Sequence, residues 1–133
     1  MPGADPVDPA RVEALLQATF AHEQATPVPI TVEFVEAEAI AELNAVHRGK
    51  PKPTDVLSFR FDDSFPQGPG GQVVICVEEA ERGATELTRP LSEHLDRLIV
   101  HGVLHVLGYE DETPEQLAEM ERRTDAIVGS VHG

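Results

Sequence analysis

Tryptophan is absent from the sequence, cysteine and tyrosine occur once each, and aromatic residues make up only 5% of the chain. A lone thiol, Cys76, excludes an internal disulfide and suits a reducing cytoplasm. It sits in the apolar run Val73-Val74-Ile75-Cys76-Val77, where an inert buried side chain is expected rather than a nucleophile. Basic residues are scarce: 10 Lys and Arg stand against 24 Asp and Glu, for a formal net charge of −14. A field of that sign repels nucleic acid and anionic membrane over the molecule as a whole. The stretch Leu98 to Tyr109 lacks charged residues, but two histidines interrupt it and it is too short to span a bilayer. The opening M-P-G-A-D-P-V-D-P-A has neither the basic nor the apolar region of a secretory signal, so a soluble cytoplasmic protein is expected.

What is present is enough to build a core. With 133 residues, 41% of them apolar, the chain reads as one domain over residues 1–133. Asp8-Pro9 is a helix-start pair, and Val12, Leu15, Leu16 and Phe20 follow as an apolar stripe. Ile30, Val32 and Phe34 alternate with polar residues as in a half-buried strand, whereas residues 1–9 offer little strand pattern. A helix is expected from Glu36 to Val46, stopped by Gly49 and Pro51, with strands at Val56–Phe61 and Val73–Val77 and a loop over 62–71 between them. Further helices are expected over Glu78–Leu87, from Pro90 to Leu107, and from the capping box Thr113-Pro114-Glu115-Gln116 onward, with Leu117, Met120 and Ile127 on its apolar face. The fold class is α/β (α+β), a small mixed sheet of three or four strands packed against helices.

The segment His101-Gly102-Val103-Leu104-His105-Val106-Leu107-Gly108-Tyr109-Glu110-Asp111 is the informative one. Residues four apart share a helix face, so both imidazoles can address one ion. Two unpaired imidazoles would be costly to bury in so apolar a stretch, and a metal satisfies both. Gly108 ends the helix, and Asp111 follows where a carboxylate can return to the same ion, placing a metal site on a helix–glycine–turn. The spacing is that of H-E-x-x-H-x-x-G-x-x-H, but Gly102 replaces the glutamate base of metalloproteases and Asp111 the third histidine.

Four of the ten bases, Arg48, Lys50, Lys52 and Arg60, fall within residues 48–60, opposed there only by Asp55. They read either as a solvated loop or as a local phosphate-binding lip. Ser58 reads as an ordinary strand hydroxyl, and Tyr109 as a base-stacking ring or as packing beside the glycine turn. His22, His47, His94 and His132 have no motif around them and are expected at the surface.

The pattern H-G-x-L-H-x-x-G-Y, with Leu43-Asn44 and Arg48 upstream and Thr54-Asp55-Val56-Leu57-Ser58-Phe59 between, resembles the YbeY family of metal-dependent endoribonucleases. The resemblance runs from about Pro29 to Val128. It implies one Zn2+ held by His101, His105 and, where the family has histidine, Asp111, with Glu110 as the alternative third ligand and another divalent transition metal as the alternative ion. It implies that Arg48 acts on the phosphate, which favours reading the charge cluster as a lip where Lys50, Lys52 and Arg60 also contact RNA. Gln72 stands where the family usually has an acid. The implied activity is single-strand cleavage in late 16S rRNA maturation, at the 3′ end, and in small-subunit quality control. The implied partners are single-stranded rRNA, the small ribosomal subunit and a ribosome-associated GTPase, without a membrane. The rival readings are a zinc peptidase and a non-enzymatic ribosome-assembly factor with a structural metal.

Overall fold

The structure, a computed structural model, describes residues 8–66 and 68–132. The expectations for residues 1–7 and for Gln67 in the loop fall outside it. Helix α1 (Pro9–Glu23) begins as its sequence dictates: the Asp8 carboxylate accepts from Ala10 N at 3.0 Å, and Pro9 occupies the first helical position. Strand β1 (Ile30–Val35) follows, then α2 (Ala37–Arg48), which ends on Gly49 with φ +72°. Strand β2 (Val56–Phe61) has the expected limits. Strand β3 (Gly70–Cys76) does not: it starts three residues before Val73, inside the expected loop. The cause is packing. A β-carbon on Gly70 would come within 2.5 Å of the Pro29 carbonyl oxygen, and one on Gly71 within 2.6 Å of Val106, so these glycines belong to a crowded strand and not to a turn.

The sheet has the order β1-β3-β2, with β1 parallel and β2 antiparallel to β3. Its central strand is buried on both faces, which explains the continuous apolar run there. Val73 and Ile75 join the larger core with Leu15, Phe20, Leu104 and Met120, while Val74 and Cys76 pack with Ile40 and Leu57 under α2. Cys76 is buried as expected. Three helices complete the chain: α3 (Val77–Glu86), α4 (Leu91–Val106) and α5 (Pro114–His132). At the start of α5 the Thr113 hydroxyl accepts from Gln116 N, and the Gln116 side chain accepts in return from Thr113 N, both at 3.1 Å.

Two further expectations fail. Leu117 shares the helix face of Met120, Thr124, Ile127 and Val128 but is 40% exposed, because it lies in the first turn of α5, before the buried stretch begins. His94 is buried, not at the surface. It lies between α4 and α3, where Gly83 leaves room for its ring: a β-carbon there would stand 3.0 Å from His94 Nε2.

Candidate metal centre

Helix α4 buries Gly102, Val103, Leu104 and Val106 and leaves His101 and His105 half-exposed on its opposite side. Gly102 faces the sheet. A β-carbon there would meet Val73 Cγ1 at 2.6 Å and Ser58 Oγ at 3.0 Å, so a glutamate does not fit without moving the central strand. The missing protease base is thus a consequence of how closely the helix lies on β3.

After α4 the chain reverses. Gly108 N donates to the His105 carbonyl and Tyr109 N to the Leu104 carbonyl, each at 3.0 Å, and Gly108 takes φ +110°, which side-chain-bearing residues rarely adopt. This reversal returns Asp111 to the histidines. Asp111 Oδ2 lies 3.3 Å from both His101 Nε2 and His105 Nε2, and the two Nε2 atoms are 3.1 Å apart. Donor atoms at about 2.0–2.1 Å from a tetrahedral zinc ion stand about 3.3 Å from one another. The spacing therefore matches a shared small cation.

The ring tautomers point the same way. His105 Nδ1 lies 2.9 Å from the Tyr109 carbonyl oxygen, which only accepts, so the proton is on Nδ1. In the neutral ring Nε2 is then a bare lone pair, facing a carboxylate oxygen and a second imidazole nitrogen. A proton is a poor substitute for a cation between them, because burial and the neighbouring His105 hold His101 below its ordinary value, against the opposing pull of Asp111. His101, His105 and Asp111 are thus a possible metal-binding group, with one ligand atom from each within 4.8 Å of the others. Glu110 lines the same cleft but is not a member of this group.

The group opens into a cleft of about 870 Å3 between the turn and strand β2. Arg48, at the end of α2, and Arg60, on β2, both line it. Arg60 reaches beneath the turn, its Nη1 3.6 Å from where a β-carbon on Gly108 would stand. Lys50 and Lys52 do not line this cleft. They border a second hollow of about 420 Å3, joined to the first through Arg48, Thr54 and Asp55. The four bases therefore form two stations that meet at Arg48, where the sequence suggested a single lip. Gln72 also lines the main cleft and is hydrogen-bonded to Glu33. Asp55 borders both hollows, a position sequence reasoning missed, although its place in Thr54-Asp55-Val56 was the available signal. Tyr109 is anchored by packing: its hydroxyl donates to Glu23 Oε1 at 2.6 Å, and the Arg123 guanidinium lies 4.8 Å above its ring.

Fold and site together define a small α+β protein with two histidines and a carboxylate converging from one helix and its following turn. Residues 6–132 match the model of the family described as Endoribonuclease YbeY, and the chain belongs to that family. It is 38% identical to the Endoribonuclease YbeY of Sinorhizobium fredii over 113 residues, covering 77% of this chain but 64% of that protein, so it spans somewhat less than two thirds of that relative. It is 38% identical to the Endoribonuclease YbeY of Moorella thermoacetica over 128 residues, 88% of this chain and 82% of the relative. Among solved structures, the solution structure of TM1509 from Thermotoga maritima superposes with a TM-score of 0.63 at 25% identity, covering 96% of this chain and 87% of that one. Among the described residues no helix is long and apolar enough to cross a membrane.

Proposed function

We propose that this protein is a zinc-dependent, single-strand-specific endoribonuclease of the cytoplasm that acts in ribosomal RNA maturation, at the 16S 3′ end, and in quality control of the small subunit. The observation behind this reading is the convergence of His101, His105 and Asp111 at the floor of a cleft bordered by Arg48 and Arg60, in a member of a family whose relatives bear the name endoribonuclease. Residues 1–133 would act as one domain, with the small ribosomal subunit and a ribosome-associated GTPase as its partners. When bound, a divalent ion supplies Lewis acidity toward a phosphoryl oxygen and acidifies water at its open position.

The chain's own residues do the rest. Asp111 and the two imidazoles would hold the ion, with His105 fixed in its ligating tautomer by the Tyr109 carbonyl. Arg48, whose planar fork suits two phosphate oxygens, would orient the scissile phosphate and offset the charge that grows on it. Arg60 would hold the strand against the turn, and Lys50 and Lys52 would take neighbouring phosphates. Against the peptidase alternative stands Gly102, where the sheet leaves no room for a base.

The test offers purified protein ribosomal RNA and casein, with and without chelator. Chelator-sensitive RNA cleavage restored by Zn2+ and lost in His105→Ala supports the proposal. Stoichiometric metal with no turnover of either substrate favours an assembly role instead. Metal content unchanged in Asp111→Ala overturns the ligand set.

A further inference from the structure

We propose that Glu23 and Tyr109 are positioning residues for the metal centre, tying both His105 and Asp111 to helices α1 and α5. The inference rests on the metal-binding reading above and adds residues distant from it in sequence. Glu23, in the last turn of α1, has a side chain only 6% exposed. It accepts from the Tyr109 hydroxyl at 2.6 Å and from Arg123 Nη1 at 3.0 Å on each oxygen. Arg123, on α5, covers the Tyr109 ring and is itself held by Glu119 through Nε at 2.6 Å.

The hydrogen-bonded path from this network to the site runs through Tyr109. Its carbonyl fixes the His105 ring, and Asp111 follows two residues later in the chain. Residues 110–112 are exposed, and Gly108 before them has no side chain to anchor the turn. Tyr109 is thus the partly buried peg of an otherwise solvent-facing segment, and Glu23 is what the peg is fastened to. Groups that orient a ligating imidazole typically change metal affinity by about 10–100-fold when removed.

The test measures Zn2+ affinity by competition with a chromophoric chelator, together with melting temperature, in the full chain. Glu23→Ala and Tyr109→Phe are each expected to weaken Zn2+ binding about 10-fold, and the double variant no more than either alone, because both cut one path. Glu23→Gln, whose amide oxygen still accepts from the hydroxyl, recovers part of the loss. Arg11→Ala is the control for a merely structural role: it removes an ion pair between α1 and α4 elsewhere, so it lowers melting temperature while leaving Zn2+ affinity unchanged. Wild-type affinity in Tyr109→Phe, or an equal loss in Arg11→Ala, overturns the proposal. If the wild type binds Zn2+ but cuts no RNA, the nuclease reading falls while this test still decides the positioning role. If the wild type binds no metal, both fall.

Discussion

Gly102 lies so close to Val73 that a β-carbon on the glycine would come within 2.6 Å of the valine Cγ1. This contact seats α4 on the central strand and sets how far His101 and His105 stand above the sheet. Valine is branched at Cβ and buried on β3, so it has no free rotamer to move into. Overpacking costs about 1–3 kcal/mol, while alanine gains about 1 kcal/mol over glycine inside a helix. Gly102→Ala should therefore lose up to about 2 kcal/mol net, read by urea denaturation, and Val73→Ala should relieve part of that loss in the double variant. Gly102→Glu should fold poorly and gain no activity on casein. A stable, caseinolytic Gly102→Glu would show that the helix-to-sheet spacing does not block a protease base.

Asp96 on α4 is 1% exposed and holds two partners from opposite ends of the chain. Arg11 donates to its two oxygens at 2.7 and 2.5 Å, and His132 approaches at 2.7 Å. Removing one side of a buried ion pair leaves the other charge without compensation, at a cost of about 3–5 kcal/mol. Arg11 is partly exposed and His132 stays beside Asp96, so its loss belongs at or below the low end: Arg11→Ala should cost about 3 kcal/mol at most by denaturant titration. Asp96→Asn should cost less than Arg11→Ala, because an amide leaves no buried charge behind. The reverse order would show that the carboxylate is solvated in the absence of Arg11.

These contacts mark the boundary of what the sequence makes legible. The histidine pair, the glycine turn, the Asp8-Pro9 start, the Thr113 capping box and the limits of β2 follow from local rules of spacing and hydrogen bonding, and the structure has them. Gly70 and Gly71 read locally as part of a loop because the same residue serves two purposes, left-handed backbone and close approach, and only Pro29 and Val106 reveal which one applies. His94 read as surface because its burial depends on Gly83, in the preceding helix. The parallel pairing of β1 with β3, the separation of Lys50 and Lys52 from the cleft lined by His101 and His105, and the link from Glu23 to Tyr109 are all long-range. Nothing in the spacing of neighbouring residues encodes them.

Burial, reinforced by the Arg89 guanidinium, holds His94 below the ordinary imidazole value of 6.5. The ring is therefore neutral when folded at pH values where the unfolded chain's ring begins to take up a proton. Stability from this source is complete above about 6.5 and falls as pH drops below it toward the lower folded value, by at most about 1.4 kcal/mol per pH unit. His94→Leu should lose this component, so the difference in unfolding free energy between wild type and variant should shift against the wild type between pH 7 and 5, both approximate limits of the titration. His101, also held low by burial, is present in both proteins and cancels in the difference. A pH-independent difference would place the folded and unfolded values of His94 together.

The two groups of bases should differ in what they do to RNA. Arg48 borders the cleft that holds the histidines, whereas Lys50 and Lys52 border only the neighbouring hollow. A donor aimed at charge that grows in the transition state acts on turnover, and removing one costs about 10²–10³-fold in kcat. A lysine on a remote phosphate binds ground and transition states alike and acts on KM. Arg48→Ala should therefore lower kcat about 100-fold or more with a modest change in KM. Lys50→Ala and Lys52→Ala should each raise KM, leave kcat near wild type, and reduce the slope of log affinity against log salt by about 0.7, the value for one phosphate contact on a single strand. The whole-molecule charge of −14 makes that slope informative, because attraction to RNA has to come from local bases against a repulsive overall field. Equal kcat losses at all three positions would mean that the two hollows act as one binding surface.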